Sequence, residues 1–318
     1  MVARGTKEKG WLETKYRNTG EPIRFPIGTV TGVQDGPTLV VLGGMHGSEF
    51  AGIDAAIKLF QETDPAKLKG TLKVCTIYNL PAFVNNLGFV IPHDGKNPSA
   101  CFPGTPVGTY GEAMAYFFDQ EVLSTADYYV ELHGGDIPEA LTPFTFYGET
   151  GNSDVDAKSK IMCEVYNIPY IIKSTIDTAV APTYGAYEML EARGVPALLC
   201  ESGQQGILKP EETATHLTGL RNIMRTIGMS EGEVVRTAKQ TYLTDYTAVR
   251  SEVSGMWYPS VWMNDTVTKD QVVGVIRDYW GEQIAEVKAK ADALVTVVRT
   301  SPAVKPGNVL IEHGTVVK

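Results

Sequence analysis

Arginine is missing from the middle of this 318-residue chain: none occurs between Arg24 and Arg193. Histidine is scarce, at five residues, and cysteine scarcer, at four, with no CxxC pair among Cys75, Cys101, Cys163 and Cys200. That spacing excludes a disulfide framework. Cys75 and Cys200, inside apolar strand-like runs, read as reduced packing thiols of a cytoplasmic protein. No GxSxG elbow occurs, which argues against a serine hydrolase. No apolar run approaches the roughly 18 residues of a membrane span, and "MVARGTKEKGWLETKYRN" carries charges where a signal peptide needs an apolar core. A basic surplus is absent too: 28 Lys and Arg face 37 Asp and Glu, for a net charge of −9. Nucleic acid and membrane are therefore not expected partners. Glycine and proline show no repeat, which removes collagen-like and low-complexity classes.

What is present is a chain 43% hydrophobic, enough for one large domain plus one small one. Between residues 38 and 228, short apolar runs alternate with helical patterns near 49–62, 109–123, 153–166 and 184–193. A last helix opens at Pro210, a residue suited to a first helical turn. Such alternation predicts an α/β domain with a mainly parallel twisted sheet flanked by helices, its working residues at strand C-terminal ends. From about residue 240 the texture becomes strand and turn throughout. A boundary near 235–242 divides the chain into residues 1–238 and a small all-β barrel or sandwich over 239–318.

The stretch "VVLGGMHGSEFAG" breaks an apolar strand at Gly43-Gly44 and presents His46 and Glu49 three residues apart, as a helix begins. The HxxE spacing lets an imidazole and a carboxylate converge, a donor set that suits zinc. Taken alone, Glu49 could equally cap the helix. "ADYYVELHGGD" then delivers His133 to a second strand end before glycine, and "GVPALLCESG" puts Glu201 at a third. A carboxylate there can serve as general acid/base beside a zinc-activated water, or pair with a buried cation.

With those residues in view, the chain resembles the succinylglutamate desuccinylase/aspartoacylase family, within the wider zinc carboxypeptidase-like fold. "GGMHGSE" is similar to its first metal motif, "DGKNPSACFPG" to its central loop, "ELHGG" to its third ligand and "CESG" to its base. The resemblance implies one zinc per chain held by His46, Glu49 and His133, and Glu201 as general acid/base. It also implies a C-terminal β domain like biotinyl and lipoyl modules, packed near the site. The matching hairpin here, "RDYWGEQ", has no lysine, so no swinging arm is expected.

The match fails where the family binds its substrate carboxylate. Ser99 and Ala100 replace an expected Asn-Arg, Phe89 stands near a second expected arginine, and Ala113 takes the place of a third. The reading that follows is a deacylase acting on a small-molecule amide that is not an acidic N-acyl amino acid. Alternatives are an inactive zinc- or ligand-binding relative and a zinc carboxypeptidase, though the latter needs the missing arginine clamp. His93, Lys96 and Ser99 are candidate replacement contacts, and Tyr147 is a further substrate-facing candidate. Cys101 and Cys200 adjoin the expected site but read as packing. His216 and His313 have no partner visible in the sequence. Assembly into a homo-oligomer is left open.

Overall fold

The computed structural model describes residues 3–176 and 185–317, so residue 184 of the helix expected over 184–193 lies outside the described residues. The chain opens with a hairpin, β1 (Thr6–Lys15) and β2 (Pro22–Thr31). It continues through β3 (Gln34–Gly43), α1 (Phe50–Glu62), β4 (Lys69–Cys75), α2 (Leu80–Val84), α3 (Tyr110–Glu121), β5 (Tyr128–His133), β6 (Glu139–Leu141) and β7 (Phe144–Glu149). Next come α4 (Ser153–Tyr166), β8 (Tyr170–Thr175), α5 (Ala186–Ala192), β9 (Ala197–Glu201) and α6 (Pro210–Thr226). Thereafter every described element is a strand: β10 (Thr241–Arg250), β11 (Gly255–Pro259), β12 (Thr266–Val267), β13 (Val272–Arg277), β14 (Gln283–Lys288), β15 (Ala293–Arg299), β16 (Ala303–Val304) and β17 (Val309–Val316).

A sheet in the order β1-β2-β4-β3-β5-β9-β7-β8-β10-β17-β15-β12 runs through the molecule. Its centre, β4-β3-β5-β9, is parallel, and helices cover both faces. The alternation of side chains along each strand sorts the core into two layers. Val41, Val130, Leu132, Leu198 and Cys200 pack beneath α1, α4 and α6. Val40, Leu42, Tyr129 and Ala197 point the other way, toward α3 and α5.

The change of texture near residue 240 is real, but hydrogen bonding crosses it. β10 pairs in parallel with β8 and antiparallel with β17, so the large sheet runs across the expected division between 1–238 and 239–318. Only β14-β13-β11-β16 form a separate antiparallel sheet, which closes a second core around Trp257, Val273 and Ile276. β6 pairs with β15, and this draws the C-terminal segment against the loop that follows His133.

Among the described residues no helix is long and apolar enough to cross a membrane. All four cysteines are free and buried. Burial pushes the Cys101 thiol up to about 11 and Cys200 well above its ordinary range, so neither offers a thiolate for catalysis.

Candidate functional site

Three strand ends meet at the carboxyl edge of the sheet. β3 stops at Gly43, and Gly44 takes a left-handed φ of 65°, a conformation that glycine adopts without a steric penalty. Gly47 answers to close approach instead: a Cβ there would lie 2.6 Å from the backbone nitrogen of Phe83. The turn therefore packs directly on the backbone of α2 and of the loop that follows it, and His46 is buried. Glu49 occupies the N-cap position of α1 but makes no capping hydrogen bond. Its side chain is turned toward the two histidines.

His46 Nδ1 lies 2.6 Å from Glu49 Oε1, and His133 Nδ1 lies 3.0 Å from Glu49 Oε2. Donor atoms of the three residues fall within 4.8 Å of one another, all buried, and no other such cluster occurs among the described residues. Glu49 Oε2 is buried yet makes no aligned hydrogen bond, even with that imidazole beside it. His46 Nδ1 and Glu49 Oε1 are in hydrogen-bond contact, while Glu49 Oε2 and His133 Nδ1 face each other without an aligned bond. Donors converging in this way fit a common cation.

The outer nitrogens strengthen that fit. His46 Nε2 donates to Asn97 Oδ1 at 3.1 Å, and His133 Nε2 donates to Glu131 Oε1 at 2.9 Å. Glu131 accepts a second bond from the Tyr129 hydroxyl at 3.0 Å. Each outer bond fixes the tautomer that leaves Nδ1 free to ligate, as carboxylate–histidine–metal arrangements do. The residues present suit a divalent metal such as zinc.

Electrostatics in the metal-free protein agree. Burial alone would lower both histidine pKa values, but the Glu49 charge and hydrogen bonds raise His46 and raise His133 well above its usual range. Burial would raise Glu49, and the two imidazoles outweigh it and hold the carboxyl at about 2.

Glu201 pairs with His133 across neighbouring strands, so both side chains leave the same face of the sheet. Its Oε2 is buried and has no hydrogen-bond partner among the described residues. Burial pushes its pKa well above the carboxylate range; His133 pulls it down, while Glu49, Glu139 and Glu312 push it further up. Those last names mark a feature the sequence did not disclose. Glu139 is raised to about 7 by burial and by Glu312 and Asp136, and Asp136 to about 6 by burial and Glu49. Glu312, from β17, accepts a hydrogen bond from the Tyr246 hydroxyl at 2.9 Å. The C-terminal segment thus places a carboxylate beside the candidate acid/base. Besides His133 on Glu201 and His46 on Asp136, the arginines that act on this set are Arg299 on Glu139 and Arg250 on Glu312. Their guanidinium hydrogen bonds among the described residues go to backbone carbonyls instead.

The expected substrate contacts fare unevenly. Lys96 Nζ is held at 2.7 Å by Glu112, whose other oxygen caps α3 through the Thr109 N–H; its charge serves that helix start. His93 stacks on Tyr110 at 3.8 Å and lines a surface cleft with Glu21 and Arg24, apart from the triad. Ser99 lies on the turn after Asn97, donating its N–H to the same Oδ1 that His46 contacts, and so remains beside the site. Tyr147 is placed elsewhere. Phe144 pairs with Glu201 and shares its face; Tyr147, three residues on, points to the opposite face and is buried in the layer under α4 and α6. Phe89, where an arginine was expected, stacks on His46 at 4.7 Å from a left-handed backbone position with φ of 60°.

Residues 35–227 match the succinylglutamate desuccinylase/aspartoacylase catalytic domain. The N-alpha-acetyl-L-2,4-diaminobutyric acid deacetylase of Halomonas elongata is 27% identical over 309 residues, covering 93% of this chain and 87% of that protein. Among solved structures, a succinylglutamate desuccinylase/aspartoacylase from Rhodobacter sphaeroides superposes with a TM-score of 0.86 at 22% identity, over 99% of this chain and 97% of the other. The product-bound ectoine utilization protein EutE (DoeB) from Ruegeria pomeroyi gives 0.86 at 23%, over 99% and 97%.

Proposed function

Because this chain belongs to the succinylglutamate desuccinylase/aspartoacylase family, we propose that it is a zinc-dependent deacylase for a small N-acyl compound carrying a cationic group. His46, Glu49 and His133 hold one zinc per chain, and Glu201 is the general acid/base. The observation that carries this reading is the convergence of His46 Nδ1, Glu49 and His133 Nδ1, with Glu201 paired across the ladder from His133.

Bound there, zinc would supply Lewis acidity to the amide carbonyl and lower the pKa of a water to about 7. The chain supplies the rest. Asn97 and Glu131 keep both ligand tautomers in place. Glu201, with a free buried oxygen, takes the proton of the attacking water and passes it to the leaving nitrogen. Its raised pKa suits the donating half of that cycle, and a nearby dication draws it down for the accepting half.

The substrate class follows from charge. The charges of Glu139 and Glu312 act on Glu201, Asp136 acts in turn on Glu139, and no arginine clamp faces them. A substrate ammonium would relieve the mutual repulsion of these carboxylates, while a second substrate carboxylate would add to it. The Halomonas elongata relative is named for a diaminobutyric acid derivative, whose side chain bears an amine. By contrast, two lost charge-assisted contacts would weaken acidic N-acyl amino acids by roughly 10²–10⁴-fold. The same lack of a clamp disfavours a carboxypeptidase, and the intact Glu201 disfavours an inactive relative. A kinetic panel of N-acetylated cationic, neutral and acidic amino acids against zinc-loaded protein tests this. The cationic compounds should give the highest kcat/KM; a preference for N-acetylaspartate or N-succinylglutamate would sink the substrate class.

A further inference from the structure

His216 was left without a partner by the sequence, and both of its ring nitrogens are engaged. It sits on the inward face of α6, fully buried, next to Leu217 and one turn from Leu220. An ordinary amphipathic helix places an apolar residue there. Its Nε2 lies 3.0 Å from the carbonyl oxygen of His133 and 3.0 Å from that of Ser202. Two carbonyls can only accept, so Nε2 bears the hydrogen and shares it between them.

Those carbonyls belong to the ends of β5 and β9. The Ser202 N–H donates to the His133 carbonyl at 3.1 Å, and the Gly135 N–H donates to the Gly203 carbonyl at 2.7 Å, so the two segments stay paired into their glycine turns. The imidazole bridges one carbonyl from each segment at that point. One segment carries the ligand His133; the other carries Glu201, immediately before Ser202.

The ring is itself held. The Tyr166 hydroxyl, from the last residue of α4, lies 2.9 Å from His216 Nδ1. Gly219 makes room for that tyrosine: a Cβ there would lie 2.4 Å from the Tyr166 ring. A mid-helix glycine costs about 1 kcal/mol relative to alanine, and here it lets Tyr166 lie against α6 with its hydroxyl directed at His216.

We propose that His216 is a positioning residue, which fixes the separation and rotation of the two strand ends that present the metal ligand and the general acid/base, with Tyr166 holding its ring. This rests on the roles assigned above to His133 and Glu201. Supporting groups of metal ligands typically change metal affinity or activity by 10–100-fold when removed.

The test compares wild type, His216→Gln and His216→Leu in the full chain, with Tyr166→Phe as a milder perturbation should the leucine variant fail to fold. Zinc Kd, kcat and KM are read only on protein shown by circular dichroism to be folded. His216→Leu keeps the apolar packing but removes the donor shared by the two carbonyls, leaving the His133 carbonyl only its Ser202 N–H; zinc Kd should rise and kcat fall by about 10–100-fold, with KM within about threefold. Gln retains an N–H donor and should recover part of both. Tyr166→Phe should shift the His216 ring ¹⁵N resonances and lower kcat by severalfold. A role in stability alone would lower Tm yet leave zinc Kd and kcat of the folded variants within twofold of wild type, and that result overturns the proposal. Zinc Kd needs no substrate, so a wrong substrate class does not touch it. A wild type that binds no zinc would overturn the metal reading and the positioning role together.

Discussion

Glu139→Gln separates the electrostatics of this site from its packing. In the folded, metal-free protein the Glu139 pKa is raised to about 7 from an ordinary 4.5, by burial and then by Glu312 and Asp136. A raised carboxyl pKa means that the folded state binds more protons than the unfolded one between these values, so stability falls as pH rises through that window. At 1.36 kcal/mol per unit, ionising Glu139 costs the folded state up to about 3 kcal/mol at pH 8 and under about 1 kcal/mol at pH 5. Glutamine cannot ionise, and its amide oxygen can still accept the Asp136 N–H that Glu139 receives at 3.2 Å. Urea unfolding of chelator-treated protein should therefore find Glu139→Gln more stable than wild type at pH 8, by about 1–3 kcal/mol, and nearly equal at pH 5. The variant should meanwhile lose affinity for a cationic substrate, with KM rising by about 10-fold or more from one lost charged contact. An equal stability change at both pH values would show that the carboxylate cluster does not repel as described. A gain in stability without a loss of affinity would leave the cluster real but remove it from substrate recognition.

Other outcomes follow from individual contacts. His133→Ala should lose zinc stoichiometry by metal analysis, because one of three ligands is gone; full occupancy would contradict the ligand set. Glu201→Gln should fold and keep its zinc while hydrolysis falls by about 10²–10⁴-fold, the usual contribution of an acid/base group; a rate near wild type would assign proton transfer to another residue. Gly219→Ala, a change that ordinarily stabilises a helix by about 1 kcal/mol, should here destabilise by about 1–3 kcal/mol, since its Cβ meets the Tyr166 ring at 2.4 Å. A higher Tm for that variant would show the ring free to move aside.

The His46–Glu49–His133 cluster was legible in the sequence because His133 and Glu201 end strands, and His46 and Glu49 lie in the turn that follows another. His46, Glu49, His133 and Glu201 all follow apolar runs at the carboxyl edge of a sheet, where an imidazole or a charge has no packing reason to be. Helices α1, α3, α4 and α6 were legible from their apolar period and, for α6, from Pro210. The hairpin β1–β2 was not read, as its outer strand "TKEKGWLETK" is largely exposed and lacks a strong apolar alternation. Tyr147 was misplaced because the face of a strand depends on its pairing: β7 runs antiparallel to β9, which an α/β alternation does not announce. Glu139 and Glu312 carry no local signature, and they come together through long-range contacts such as β6 on β15 and β15 on β17. Lys96 and His93 were read as free donors, yet their partners, Glu112 and Tyr110, lie one helix away. His216 shows the same limit from the other side: a buried histidine declares that it has partners without naming them.

The most direct test of the account is the anomalous signal of zinc in crystals of the zinc-loaded protein. A single peak per chain is expected, about 2.0–2.2 Å from His46 Nδ1, His133 Nδ1 and a Glu49 oxygen, with Asn97 and Glu131 still bonded to the outer nitrogens. Zinc bound through Nε2 of either histidine, or at any set of residues that excludes Glu49, would contradict it.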